Sequence, residues 1–564
     1  MNKKNRHFRV RLLGRFGLIG AMASAGFLPN AHADATVECN VNAGFPASTT
    51  ECGLSSVASG MFSTAVGSSV NATGDRSTAY GRLADALESD STALGHNADT
   101  LARNSVAVGQ GATVEVDGIQ GTSVGRNALV TEPGGTSVGA DSDAQGVGAT
   151  ALGGDGEDAG LTGAQAIGSG ATAVGSDTYA TAIDAIAVGK GAQAQNADAI
   201  ALGADSIVTA GNSVAIGADS VASGSANTSL GHTARARGDS STHVGFNSGA
   251  NSTSSANFST AVGAQSLVAN DAENNTAVGF QSMLVNTSGA QNTAVGAFSM
   301  MSNTTGSANM AVGTNALLSN TTGINNMAMG NNALRANVEG SNNVAVGRAS
   351  LLAVSQGQLN VGIGTQALNN LATGSQNIAV GGQSGVNLTQ GAQNIYIGTP
   401  GGASTESKVT RIGSTQTRAF MAGISGTPIA SGATVVVGAD GQLGILASSA
   451  RFKQGITDMA DQSDRLMQLR PVTYAYKSEP EARHFGLIAE DVAKVYPELV
   501  VRNAKGEIDT VQYVELVPVL LQRVQDQQRE LNELKATLVQ QNQELNERLA
   551  QIETATRSRE LASR

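Results

Sequence analysis

The chain has 564 residues with 34 basic and 45 acidic side chains, a net charge of −11, 70 glycines, no tryptophan and 3% aromatic content. So few large rings cannot fill conventional globular cores along this length, and an acidic chain lacks the basic face that nucleic-acid binding wants. No proline occurs from Gly134 to Thr399; a disordered linker would be richer in proline and charge, whereas a stacked β structure needs glycine in its tight turns.

The N-terminus reads as a secretory signal over residues 1–33. Lys3, Lys4, Arg6, Arg9, Arg11 and Arg15 precede a short apolar stretch from Phe16 to Leu28, and Ala31-His32-Ala33 offers small residues for cleavage before Asp34. Loss of those six cations takes the charge from −11 to −17. Residues 34–60 are expected to form an N-terminal cap, in which Cys39 and Cys52, the only two cysteines, close one disulfide loop. Two thiols with no histidine or second pair nearby leave zinc coordination incomplete, so no metal is expected.

From 61 to 265 the chain repeats Ala-Val-Gly or a variant. Gly67, Gly81, Gly95 and Gly109 are 14 apart, and the step returns at Gly175, Gly189, Gly203, Gly217, Gly231 and Gly245. Each unit carries a short strand such as Ser213-Val214-Ala215-Ile216, then glycine, then a polar turn. A short fixed period of this kind predicts a solenoid whose coils bury their apolar edge against neighbours. These units resemble the left-handed parallel β-roll head of YadA-type trimeric adhesins, and the resemblance implies three rolls sharing a core of small Val and Ile side chains.

Residues 266–400 form a stricter array. Gly279, Gly296, Gly313, Gly330, Gly347, Gly364, Gly381 and Gly398 step by 17, as do the asparagines from Asn275 to Asn394. These asparagines are expected to stack into a ladder. Met283, Met300, Leu317, Leu334, Leu351 and Leu368, four after each glycine, are expected to face inward. Between Asn274 and Pro400 the charged residues are Arg335, Glu339 and Arg348, so a ligand there would be met by shape and hydrogen bonds rather than steering. Gly362-Ile363-Gly364 and Gly153-Gly154-Asp155-Gly156 lack the context of nucleotide or calcium turns and read as repeat glycines. No cofactor is expected anywhere in the chain.

Residues 401–447 read as a β connector with strands at 409–413, 419–424 and 433–437, the last followed by an Ala439-Asp440-Gly441 turn. Beyond it, Ser463 is expected to cap a short helix to Leu469, Val472 to Tyr476 to form a strand, Phe485 to Ile488 a second, and Ala489 to Val495 a helix. The final helix carries a heptad seam: Val517, Val524, Leu531, Leu538, Leu545 and Ile552 at one position, Leu520, Gln527, Leu534, Gln541 and Arg548 at the other. Residues 515–564 therefore read as a coiled coil.

Ala447-Ser448-Ser449-Ala450-Arg451-Phe452-Lys453, followed by His484-Phe485-Gly486-Leu487-Ile488-Ala489-Glu490-Asp491-Val492 and Tyr513-Val514, resembles the S74 intramolecular chaperone family. These are the self-cleaving C-terminal domains of phage endosialidases and tail spikes. The resemblance covers about the last fifth of the chain, with 448–514 as the chaperone domain. It implies cleavage between Ala447 and Ser448, with Ser448 as nucleophile, Lys453 as base and His484 needed for processing. A serine hydroxyl needs a base, and lysine serves as one only when desolvated. Residues five apart lie about 140° around an ideal helix. Pairing therefore needs an extended or looped Ser448, or a contact from another subunit.

The fold class expected is mainly β: a trimeric parallel β-roll and solenoid, a small α+β C-terminal domain and a terminal coiled coil. The function expected is an exported homotrimeric, adhesin-like fibre, at the cell surface or outside it, whose C-terminal domain drives trimerisation and then cuts itself off in a single turnover. A host-surface glycan or matrix component would be the ligand. Two alternatives stand beside it: a non-enzymatic adhesin whose C-terminal module only trimerises, and a tail-fibre-type receptor-binding protein, which the signal counts against.

Overall fold

The computed structural model describes residues 39–41, 49–155, 162–424, 431–438, 440–503 and 505–563. The expected signal segment lies outside them. Two compact units divide at Ala419 and Phe420.

The first unit is mainly a parallel β-solenoid. In each 14-residue coil a three-residue strand such as Thr228–Leu230 is followed by a two-residue strand such as Arg235–Ala236. The three-residue strands form one continuous sheet of 25 strands from Cys39–Val41 to Thr410–Ile412. The two-residue strands form a facing sheet of 13, from Val57–Ala58 to Arg235–Ala236. Main-chain bonds run coil to coil: Gly231 N donates to Ile216 O at 2.8 Å and Thr228 N to Ser241 O at 3.0 Å. The bore between the sheets is narrow, so the side chain pointing inward from each rung is small. Ala173, Ala187, Ala201 and Ala215 are fully buried, which is why the array folds with almost no aromatic residues. The glycine closing each strand has no substitute. At Gly217 φ is +126°, and a Cβ would stand 2.6 Å from the carbonyl of Gly231 in the next coil.

At the N-terminal end Cys39–Val41 runs antiparallel to Thr50–Cys52 and covers the edge of the first rung. Cys39 and Cys52 face each other there and are joined by a disulfide.

Beyond residue 245 the coils lengthen and the short sheet stops, while the long sheet continues. The wider bore is filled by Leu267, Met283, Met300, Leu317, Leu334, Leu351 and Leu368, all fully buried, as the step of 17 predicts for all but the first. They sit in the left-handed region, with Met283 at φ +46° and Leu317 at +51°. Two asparagine ladders stitch the turns. In the first, Asn326 N donates to Asn309 Oδ1 at 2.9 Å and Asn326 Nδ2 to Gly340 O at 2.8 Å. In the second, Nδ2 of Asn286, Asn303, Asn320 and Asn337 donates to the preceding asparagine's Oδ1, beginning at Asn270, at 2.7–2.8 Å. Val354, Leu371 and Leu388 then take over that column as buried apolar residues.

The solenoid closes on a plug. Tyr396, fully buried where most earlier rungs carry alanine, donates its hydroxyl to Glu406 Oε1 at 2.8 Å. Glu406 also accepts from Gly402 N at 2.7 Å and from Arg411 Nη2 at 2.9 Å. Burial alone would raise the Glu406 carboxyl, but the bonds from Arg411, Gly402 and Tyr396 hold it down at about 2. Thr410–Ile412, expected in the connector, is instead the solenoid's last rung, paired in parallel with Ile395–Ile397.

The outward face of the long sheet stays uncovered in a single chain. From Met310 to Ile397 both of its outward columns are apolar, and Met310, Met327, Met329, Ile363, Ile378, Val380, Ile395 and Ile397 are each 36–41% exposed.

The second unit is a small α+β fold. Two antiparallel pairs, Val435–Val437 with Leu443–Ile445 and Val472–Tyr476 with Glu479–Gly486, precede helix α1 (Ala489–Val495). Val500–Arg502 with Ile508–Val511 then leads into helix α2 (Tyr513–Ala562), 50 residues long. A core of Val492, Tyr496, Leu499, Val500, Val511, Leu516 and Val519 binds α1 to the base of α2. Three local expectations fail. Residues 419–424 are irregular rather than a strand, with Phe420 88% exposed and no partner strand among the described residues. The strand expected at 485–488 is Glu479–Gly486, where pairing to Val472–Tyr476 overrides the charged sequence. Ser463 lies inside a 3-10 helix, Ala460–Gln468, and its hydroxyl donates to Asp526 Oδ2 of α2 at 2.8 Å instead of capping.

Candidate processing site

After Leu443–Ile445 the chain leaves the sheet in an irregular stretch, turns once through the 3-10 helix Ala450–Phe452, and extends again at Lys453. Helical spacing is thereby avoided. Ala447, Ser448 and Lys453 all line one cleft of about 730 Å³, which Arg465, Tyr496 and Glu515 also line. The wall is rigid for identifiable reasons. Tyr496 Oη donates to Gln462 O at 2.7 Å, the Arg465 guanidinium lies 4.4 Å over the Tyr496 ring, and Arg465 Nη1 donates to Val495 O at 2.9 Å.

Ser448 and Lys453 are both solvent-exposed in the single chain. Among the described residues no hydrogen bond joins them. Their shared cleft brings the expected nucleophile and the expected base to one place, open to solvent; a lysine side chain serves as a base only where water is excluded.

His484 is not on the cleft lining. It sits on the Val472–Tyr476/Glu479–Gly486 hairpin between Tyr474, with ring centroids 5.7 Å apart, and Tyr476, at 5.1 Å. Its Nε2 is buried without a hydrogen-bond partner. Tyr513 at the start of α2 meets the same hairpin, accepting the Leu487 N–H at 3.0 Å. Thus the protomer brings Ser448 and Lys453 together and leaves His484 apart. Arg465, Tyr496 and Glu515 carry no motif of their own, and only tertiary packing brings them to the cleft.

The seam of α2 is bare. Val517, Val524, Leu531, Leu538, Leu545 and Ile552 are 49–64% exposed. Among the described residues no helix is long and apolar enough to cross a membrane.

Residues 448–501 match the family model Peptidase_S74, chaperone of endosialidase, and the match begins at Ser448 itself. Eight segments between 53 and 266, some of them overlapping, match the YadA head domain repeat. The chain therefore joins YadA-type head repeats to an S74-type chaperone segment, an adhesin-like organisation of an extracellular or cell-surface kind. No match to a curated protein was found.

Proposed function

We propose that this protein is an exported homotrimeric fibre whose C-terminal domain assembles three chains and then cuts between Ala447 and Ser448. The observation that carries the reading is the common cleft of Ala447, Ser448 and Lys453 at the first residue of the S74 match. Trimerisation is supported by two uncovered apolar surfaces, the outward columns of the long sheet and the α2 seam. A heptad helix that gathers three chains raises their local concentration and sets their register. Parallel β-rolls need that help, because their contacts are non-local and their edges pair promiscuously.

Chemistry follows assembly. When neighbouring chains cover the cleft, desolvation turns the Lys453 amine into a base. It takes the Ser448 hydroxyl proton as Oγ attacks the Ala447 carbonyl carbon. The proton passes to the Ser448 nitrogen, the C–N bond breaks, and an ester between the Ala447 acyl group and Ser448 Oγ remains. Water then hydrolyses that ester, freeing the Ala447 carboxylate and the serine. His484 takes no proton-transfer step within one protomer; in this reading it holds the hairpin against Tyr474 and Tyr476. Release of the chaperone makes the folded head kinetically persistent, since an unfolded head has lost its guide back to register.

The test is the mass of the product. Wild type yields a 117-residue fragment beginning at Ser448, while Ser448→Ala and Lys453→Ala remain full length. Unchanged cleavage in Ser448→Ala removes the nucleophile assignment, and a fragment that appears only with added protease leaves the reading of a head with a mere trimeriser.

A further inference from the structure

The inward column of the long sheet is built from Ala, Ser and Gly. Between the terminal rungs, which carry Glu51 and Arg411, it holds two large rings, His243 and Tyr396. They bracket the wide array. In the coils between them a Leu or Met stands four residues after the strand glycine and fills the bore. At the two ends that position is Gly249 and Gly385. A Cβ on Gly249 would collide with the His243 imidazole, and one on Gly385 would stand 2.8 Å from Tyr396 Cδ2. Each ring thus replaces the missing aliphatic side chain. His243 lies where the 14-residue roll ends and the longer coils begin.

The two plugs differ in chemistry. Tyr396 spends its polar tip on Glu406 at 2.8 Å. His243 is fully buried, and neither ring nitrogen has a hydrogen-bond partner of good geometry. Its neighbours offer a proton no counter-charge. The rungs above and below are Thr228–Leu230 and Thr260–Val262, the facing strand is Arg235–Ala236, and the turn 245–252 is uncharged. The charged side chain on those elements is Arg235, its Nε buried and unpaired. Arg237 follows two residues on, and Asp239 is exposed beyond it. Arg235 and Arg237 alternate with the buried Ala234, Ala236 and Gly238, so an imidazolium there would sit in a dry bore with no carboxylate facing it.

We propose that His243 makes the roll–solenoid junction an acid-sensitive joint: protonation of the buried ring opens the coils from Arg235 to Ala261 while the solenoid beyond stays closed. Burial, opposed weakly by the Arg235 carbonyl, lowers His243 from 6.5 to about 4. The open state binds the proton more readily than the closed one, so opening grows as pH falls from about 6.5 towards 4. The Tyr396 plug is spared in that window, because Glu406 keeps its charge down to about 2.

Hydrogen exchange on the full-length protein, corrected for intrinsic exchange rates, reads this directly. Between pH 7.5 and pH 5 the protection of residues 235–261 should fall about 30-fold, the ratio set by the two titration midpoints. Residues 310–397 should hold theirs. The double variant His243→Ala with Gly249→Leu rewrites the plug in the Ala261/Leu267 pattern of the next coil and should abolish the fall; the exposed His232→Asn should keep it. If the double variant misassembles, His243→Gln, which does not titrate, answers the same question. Equal protection of the wild type at both pH values, or a fall that survives loss of the imidazole, overturns the proposal.

Discussion

The two units of this chain bury their apolar groups in opposite ways. In the solenoid every rung is bonded to the next, its inward residues are fully buried, and one outward face is left half-covered. In the C-terminal unit a core of seven buried residues holds the base of α2, and the rest of that helix displays its Val, Leu and Ile to water. The contrast teaches where information is stored. A coil of the solenoid is specified by its two neighbours in the same chain, whereas the α2 seam makes physical sense only against another helix. On the proposed reading the bare helix starts assembly and the closed solenoid persists.

The comparison breaks most completely if a rung tolerates a side chain where it carries glycine. Gly217→Val places a β-branched residue at φ +126° with its Cβ 2.6 Å from the next coil's carbonyl. The head should fail to reach a heat-resistant folded form, with loss of soluble yield as the readout, while normal yield would mean that rungs are not bonded as described. A smaller effect is expected at Asn326→Ala. It leaves the Asn343 N–H unpaired in the bore, while the Gly340 carbonyl keeps Asn337 Nδ2 at 2.9 Å, and should lower stability by about 1–3 kcal/mol in denaturant unfolding. The same substitution at Asn315, whose side chain joins Asn332 on a part-buried outer turn at 3.1 Å, should change stability by less than about 1 kcal/mol.

An effect of the same order as that at Asn326 sharpens the comparison at the C-terminal plug. Glu406 has its carboxyl lowered to about 2 in the folded state, so its contribution is full above the unfolded value near 4.5 and is lost as pH falls through about 2. Glu406→Gln should therefore destabilise the end of the solenoid by about 1–3 kcal/mol at neutral pH and flatten the acid limb of a melting profile. An unchanged acid limb would assign that limb to other carboxylates.

The repeats were legible because their signal is periodic. Spacings of 14 and 17 located the rungs, the first asparagine ladder and the buried Met283 to Leu368 column before any coordinates. The second ladder carries the same period, but its substitution by Val354, Leu371 and Leu388 hides it. Tyr396, Glu406 and Arg411 break the repeat once each, and a single departure has no period to read. The strand Glu479–Gly486 was misplaced because its charged sequence is ordered by a partner strand and not by its own alternation. The S74-like motifs placed Ser448 and Lys453, yet what lines the cleft with them, Arg465, Tyr496 and Glu515, depends on tertiary packing alone. The apartness of His484 from the cleft is equally invisible to spacing, since it follows from the direction of one hairpin.

The central claim is that a trimer completes the site that cuts the chain. Leu531→Asp with Leu538→Asp puts charges into a seam whose residues are 49% and 58% exposed in the single chain, sites that tolerate a carboxylate in a monomer and reject it in a coiled coil. Light scattering and intact mass on the same sample decide the matter. The account predicts a monomer that stays full length, beside a wild-type trimer releasing the fragment that begins at Ser448. A monomeric variant that releases that fragment at the wild-type rate would contradict it.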